Sequence, residues 1–157
     1  ILADIDCPQR SAALDAFYER WADRDLVVNK WLFVQATSKV PGAAERVRQL
    51  MQHPGFEMAD KAKGMALLGG FCRRNYRQFH DRGGAGYRLR GEIVLRVDAM
   101  QAEQSHWLMP QIMQWRRYDA GRRELMRAEL ERIATSPGIS RGLHEMVSNA
   151  LAPAAVA

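Results

Sequence analysis

Cysteine is scarce in this chain of 157 residues: Cys7 and Cys72 are the only two. Thiols so few and so far apart make neither a disulfide framework nor a CxxC metal site. They are expected to be reduced and mostly buried, as in a cytoplasmic protein. Long apolar runs are also missing. No stretch approaches the roughly 18 to 20 uninterrupted apolar residues a membrane helix needs, and nothing reads as a signal peptide, so no membrane partner is expected. Strict apolar/polar alternation and Asn-Gly turns are absent, which argues against a sheet. Neither sign of charge dominates, because 23 basic side chains face 18 acidic ones for a formal net charge of +5. Arg73, Arg74, Arg77, Arg82, Arg88 and Arg90 do cluster with Tyr76 and Tyr87, a pattern a nucleic-acid binder can show. With both signs interspersed, solvated helix faces are the preferred reading, and nucleic acid is not expected as a partner.

Catalytic signatures are missing as well. A zincin helix carries two histidines one turn apart, with a glutamate beside the first to activate water. His144-Glu-Met-Val-Ser148 supplies the first half and ends in serine. His53, His80, His106 and His144 show no i, i+4 partnering with one another or with a cysteine, so no metal site is expected in this chain. Arg82-Gly-Gly-Ala-Gly86 lacks the preceding strand and the Gly-Lys-Ser/Thr ending of a phosphate loop and reads as a flexible connector. No nucleophile elbow, Walker loop or kinase signature occurs.

What is present is helical periodicity from end to end. The first helix is expected from Ser11, as N-cap, to Ala22, with Leu14, Phe17, Tyr18 and Trp21 on its inward face. The second, Leu26 to Thr37, is apolar nearly all round and reads as buried. A third runs from Ala43 to Gln52. A fourth follows Asp60 and ends near Arg74, its Gly69-Gly70 pair implying close approach of a neighbour. The fifth, Tyr87 to Met100, turns Leu89, Ile93 or Val94, and Val97 inward. The sixth, Glu103 to Trp115, contains Pro110 in its first turns or as a kink. The seventh, Asp119 to Ala134, buries Leu125, Met126, Leu130 and Ile133, and the last spans Ser140 to Leu151. Trp21, Trp31 and Trp115 are expected as core anchors. Amphipathic helices of about 10 to 16 residues with short links predict an all-α superhelical array of about eight antiparallel paired helices. Residues 1–152 are expected to form a single domain, and Pro153 to Ala157 a disordered tail.

Several blocks sharpen this reading. Asn29-Lys-Trp-Leu-Phe-Val-Gln-Ala-Thr-Ser38, Leu67-Leu-Gly-Gly-Phe71, Phe79-His80 and Gly84-Ala-Gly-Tyr87 are followed by Trp115-Arg-Arg-Tyr-Asp119, Arg123-Glu-Leu-Met-Arg-Ala-Glu-Leu130 and Asn149-Ala-Leu-Ala152. In that order and spacing, from about Leu14 to Ala152, they resemble the C-terminal helical domain of an M1-family aminopeptidase N, in which zinc in a separate catalytic domain removes N-terminal residues from peptides. The resemblance implies a superhelix closing a chamber over the catalytic domain of a parent polypeptide, with peptides as the parent's substrates, zinc as the parent's metal and the cytoplasm as location. The start at Ile1 rather than Met is read as a cut fragment or a processed product.

Two departures from the family stand out. Members carry an arginine six residues before the phenylalanine of the Gly-x-Phe block and another in an Asn-Pro-Gln-x-x-x-Arg segment, both facing the substrate chamber. Here these positions hold Met65 and Trp107, the latter in Gln101-Ala-Glu-Gln-Ser-His-Trp107. The resemblance therefore marks Met65 and Trp107 as chamber-lining candidates that lack the cation, which fits a divergent specificity or a domain kept for architecture. Plain packing in a core or groove is the competing reading. The alternative for the whole chain is a freestanding helical-repeat module that binds protein or nucleic acid.

Overall fold

The computed structural model describes residues 2–153, so the tail expected to be disordered lies, beyond Pro153, outside the described residues. Every regular element among the described residues is helical, as the periodicity predicts, and the chain divides into two compact units, Ile1–Phe79 and His80–Ala157.

In the first unit, a short 3-10 turn at Leu2–Asp4 precedes α1 (Gln9–Trp21) and α2 (Asp25–Ala36). Helix α1 starts two residues before the expected cap. Pro8 occupies the N-cap position without a side-chain bond, and Ser11 Oγ instead donates to Asp15 at 3.3 Å. No residue of α1 is buried. Leu14 and Tyr18 are half-buried, whereas Phe17 and Trp21 are 42% and 37% exposed. Trp21 is thus a surface residue rather than a core anchor, at the end of α1 with the Arg20 guanidinium 5.5 Å from its ring.

Helix α2, expected to be buried nearly all round, is buried on one side only: Val28, Trp31, Leu32, Gln35 and Ala36 are inside, while Leu26, Phe33 and Val34 are exposed. Trp31 is the anchor it was expected to be. Its Nε1–H donates to the Leu14 carbonyl at 2.8 Å, and its ring sits 5.0 Å from Tyr18 and 4.9 Å from His53. An indole buried with its one polar atom satisfied adds packing without a desolvation penalty.

Helix α3 (Ala43–Leu50) buries Ala43, Ala44, Val47 and Leu50, the three-and-four spacing of one helix face. Asp60 caps α4 (Lys61–Gly64), accepting from the Ala62 and Lys63 amides. The expected helix to Arg74 is then interrupted by a π-helical segment, Met65–Gly69, before α5 (Gly70–Arg74). The close approach implied by Gly69-Gly70 is found at Gly70, where an added Cβ would lie 3.1 Å from Phe33 and 3.2 Å from Ala36 of α2. Asn75 ends α5, and the short α6 (Tyr76–Phe79) follows it, with Phe79 packed edge-on against Phe71 at 5.7 Å.

In the second unit the glycine-rich stretch is a turn, not an open connector. Gly84 takes φ of +69°, a conformation costly for any side-chain-bearing residue, and starts α7 (Ala85–Met100). Leu89, Ile93, Val94 and Val97 are all buried there, so the alternative between Ile93 and Val94 resolves to both. The single helix expected over 103–115 is broken into α8 (Ala102–Ser105), a 3-10 turn His106–Leu108, α9 (Pro110–Met113) and a second 3-10 turn Trp115–Arg117. Pro110 has no N–H to bond backwards, so it starts a new turn instead of continuing the old one. Helix α10 (Ala120–Ala134) is capped by Asp119 and α11 (Arg141–Leu151) by Ser140. Met126, Leu130 and Ile133 are buried as expected, Leu125 only partly, and Glu129 is buried beside them. Trp115 is an anchor: its Nε1–H donates to the Ala150 carbonyl at 3.0 Å, with the Arg116 guanidinium 4.2 Å over the ring.

Candidate functional site

The two candidate residues fall in different units, and each is described within its own. Met65 is the first residue of the π segment and is 38% exposed. Two residues before it, the Lys63 ammonium lies 3.4 Å from Asp25 and 3.9 Å from Asp60. Trp107 is half-buried in the middle of the 3-10 turn His106–Leu108. Buried Leu108 and Met109 follow it, and before it Ser105 Oγ is held by Asp98 at 3.0 Å. Asp98 also accepts from the Ser140 amide at 2.7 Å and its hydroxyl at 2.6 Å, fixing the start of α11.

The blocks that carry the resemblance converge on joints. Ser38 Oγ donates to the Ala3 carbonyl at 2.6 Å, and Asn75 Nδ2 donates to the Ala36 and Ser38 carbonyls, both at 2.9 Å. In the second unit three blocks meet at His80. Its Nδ1 lies 2.8 Å from the Tyr87 hydroxyl, its Nε2 lies 3.2 Å from the Tyr118 hydroxyl, and Arg122 Nε donates to its carbonyl at 2.7 Å. Arg122 in turn grips Asp119 at 2.7 Å. Burial, followed by the fields of Arg122 and Arg90, lowers the His80 pKa to about 4, and burial raises Tyr87 to about 12. At neutral pH the imidazole is uncharged, so one ring nitrogen donates to a tyrosine and the other accepts.

This joint has a pH dependence with a definite sign. His80 titrates near its ordinary 6.5 when unfolded and near 4 when folded, so between those values the unfolded chain binds the extra proton and stability falls as pH drops. Tyr87, Tyr118, Arg122, Arg90, Asp119 and Asp81 surround the linked groups; the arginines oppose a second positive charge. Because the ring is only half-buried, the loss is expected to be about 1–2 kcal/mol from pH 7 to pH 4.5, less than the full shift would give. Urea unfolding at the two pH values should show it, and His80→Gln should flatten it. An equal drop in both proteins would assign the effect to other groups.

The residues present do not fit a zinc site. No group of three His, Cys, Asp or Glu side chains among the described residues is placed to hold a metal ion, and both His80 nitrogens face tyrosine hydroxyls. Within the arginine-rich stretch, Tyr87 and Arg90 are buried and so withdrawn from any surface. No helix among the described residues is long and apolar enough to cross a membrane. Sequence reasoning missed a polar cleft in the first unit that contains Arg10 and Arg46, whose only sequence signal is two unremarkable arginines on different helices.

A family model described as a domain of unknown function (DUF3458_C), ARM repeats, matches residues 1–152. Aminopeptidase N of Caulobacter vibrioides is 39% identical over 142 residues, covering 90% of this chain and 16% of that protein. Aminopeptidase N of Escherichia coli is 33% identical over 152 residues, covering 97% and 17%. The chain thus spans about a sixth of the length of these curated relatives. A crystal structure of Legionella pneumophila aminopeptidase A in complex with aspartic acid superposes with a TM-score of 0.87 at 29% identity, over 96% of this chain and 18% of that one. Helical elements, matched blocks and relatives agree: the chain belongs to the DUF3458_C family of ARM-repeat domains, the C-terminal helical domain of aminopeptidases N.

Proposed function

We propose that residues 1–152 act as one noncatalytic domain of a cytoplasmic, zinc-dependent M1 aminopeptidase, closing and shaping the chamber in which the parent hydrolyses N-terminal residues from peptides. The observation that carries this reading is the apolar face left open in the first unit. Phe17 and Trp21 of α1 and Leu26, Phe33 and Val34 of α2 are exposed, and Phe17 and Val34 border a cleft of about 260 Å³ with Leu14 and Trp31. A repeat unit cannot bury its own outer face, so stacking against the rest of the parent polypeptide, including its catalytic domain, is the natural cover. Zinc, held by the parent's catalytic domain, would activate the attacking water; no group of side chains among the described residues here is placed to hold it.

Met65 and Trp107 are the proposed chamber-lining residues. Apolar side chains at those points favour hydrophobic peptide segments over acidic ones, because no fixed cation there selects carboxylates. Aspartic acid in the Legionella neighbour makes acidic substrates the informative contrast. In the full-length parent, Met65→Arg together with Trp107→Arg should raise kcat/KM on acidic peptides relative to hydrophobic ones by about two- to fivefold, the size expected of partly screened charge. An unchanged ratio in a variant with wild-type circular dichroism would show that neither residue faces substrate. Loss of the helical signal would identify them as packing residues.

A further inference from the structure

The cleft between α1, α2 and α3 is lined by donors. Arg10 and Ser11 come from α1, Arg46 and Gln49 from α3, and His53 from the turn beyond, around a volume of about 190 Å³. Among the described residues, backbone carbonyls rather than carboxylates tether both guanidiniums. Arg10 Nε donates to Ala3, while Arg46 Nη1 and Nη2 donate to Pro41 and Val40. Arg10 Nη2 and Arg46 Nε are shielded from solvent without a hydrogen-bond partner among the described residues. Buried donors left unmade are costly, and two cations close enough to feel each other add repulsion. The repulsion registers in Arg46, whose pKa is depressed first by burial and then by Arg10, with Asp6 acting in the opposite sense. His53 Nδ1 accepts from the Gly55 amide at 3.0 Å, so the neutral ring carries its proton on Nε2 and is a further donor. The one acidic side chain on the wall, Asp15, is exposed and holds Ser11 Oγ.

We propose that this cleft binds a small oxyanion between Arg10 and Arg46, with His53 as a neutral donor on its wall. Guanidinium donors suit the oxygens of phosphate or carboxylate, and such an anion offsets the cation–cation repulsion. The proposal does not depend on the chamber reading, since the cleft lies wholly within the first unit.

Thermal unfolding of the 157-residue chain, titrated with inorganic phosphate, acetate or chloride at constant ionic strength and pH 7, tests it. Phosphate should raise Tm saturably, by about 3–6 °C at ten times its dissociation constant, and chloride should not. A response to acetate but not to phosphate also supports the site and points to a carboxylate, such as one on another polypeptide segment, as the natural occupant. Arg10→Gln should abolish the response. Asp15→Asn, an exposed change that removes the wall's negative charge, should strengthen binding about threefold. If Arg10→Gln fails to fold, the Asp15→Asn comparison decides. Equal shifts with phosphate, acetate and chloride, or an Asp15→Asn affinity no tighter than wild type, would overturn the proposal.

Discussion

Gly91→Ala is expected to lower stability by about 2–4 kcal/mol, equivalent to roughly 6–12 °C in Tm for a chain of this size. The sign is informative, because alanine in a helix interior ordinarily gains about 1 kcal/mol over glycine. At this point on α7, however, a Cβ would stand 2.6 Å from Glu129 Cδ and 2.8 Å from Arg132 Nη2. Glu129 has nowhere easy to go. It is buried on α10, and its oxygens are held by Arg132 Nε at 3.0 and 3.1 Å. Making room means either separating α7 from α10 or breaking a pair whose carboxylate would then sit buried and uncompensated. Adding Glu129→Ala to Gly91→Ala should recover much of the loss, since Arg132 is 46% exposed and keeps its charge in water. Chemical denaturation of the two single variants and the double variant measures this coupling directly. A Gly91→Ala protein as stable as wild type would mean that the two helices yield to each other with little resistance.

Asn75→Ala should cost a similar amount, about 2–4 kcal/mol, through a different mechanism. Asn75 is buried and its amide donates to two carbonyls, Ala36 at the end of α2 and Ser38 just beyond it. The Ala36 carbonyl is one of the orphan acceptors of the helix C-terminus, and neither it nor the buried Ser38 carbonyl can be handed over to water. Alanine removes both donors and leaves the acceptors enclosed. Gln78→Ala is the control. Its amide reaches the Lys39 carbonyl at 3.4 Å in an exposed position, so it should change stability by less than about 0.5 kcal/mol. Equal effects from the two variants would show that the Asn75 bridge carries no special weight.

The helices legible in the sequence were those whose signals are local. Asp60, Asp119 and Ser140 cap as their positions suggest, and the inward faces of α7 and α10 follow the three-and-four spacing. The failures are of a different kind. Phe17, Trp21, Phe33 and Val34 look like core residues by periodicity, because a sequence pattern reports that a face is apolar and not what covers it. Pro110 divides a helix that pattern alone would continue. Met65 and Trp107 were singled out only by resemblance, since a thioether and an indole carry no local signal of their own. The Arg10–Arg46 cleft was not legible at all, since 36 positions separate two arginines that the fold brings to one wall.

The π segment bears on how such a helix can change over generations. The Gly70 amide reaches the Met65 carbonyl five residues back, one more than an α-turn spans, so this turn accommodates an additional residue while α5 keeps Phe71 and Cys72 buried. Deleting one residue from 65–69 would restore α-helical winding, and because the wide turn already absorbs that residue, Lys61–Gly64 and α5 would both keep the faces they present. Lys63 would stay beside Asp25, while the side chains within the turn, Met65 among them, would shift position. Length, and not only substitution, is therefore a route by which this turn can exchange the side chains it presents without moving the segments on either side.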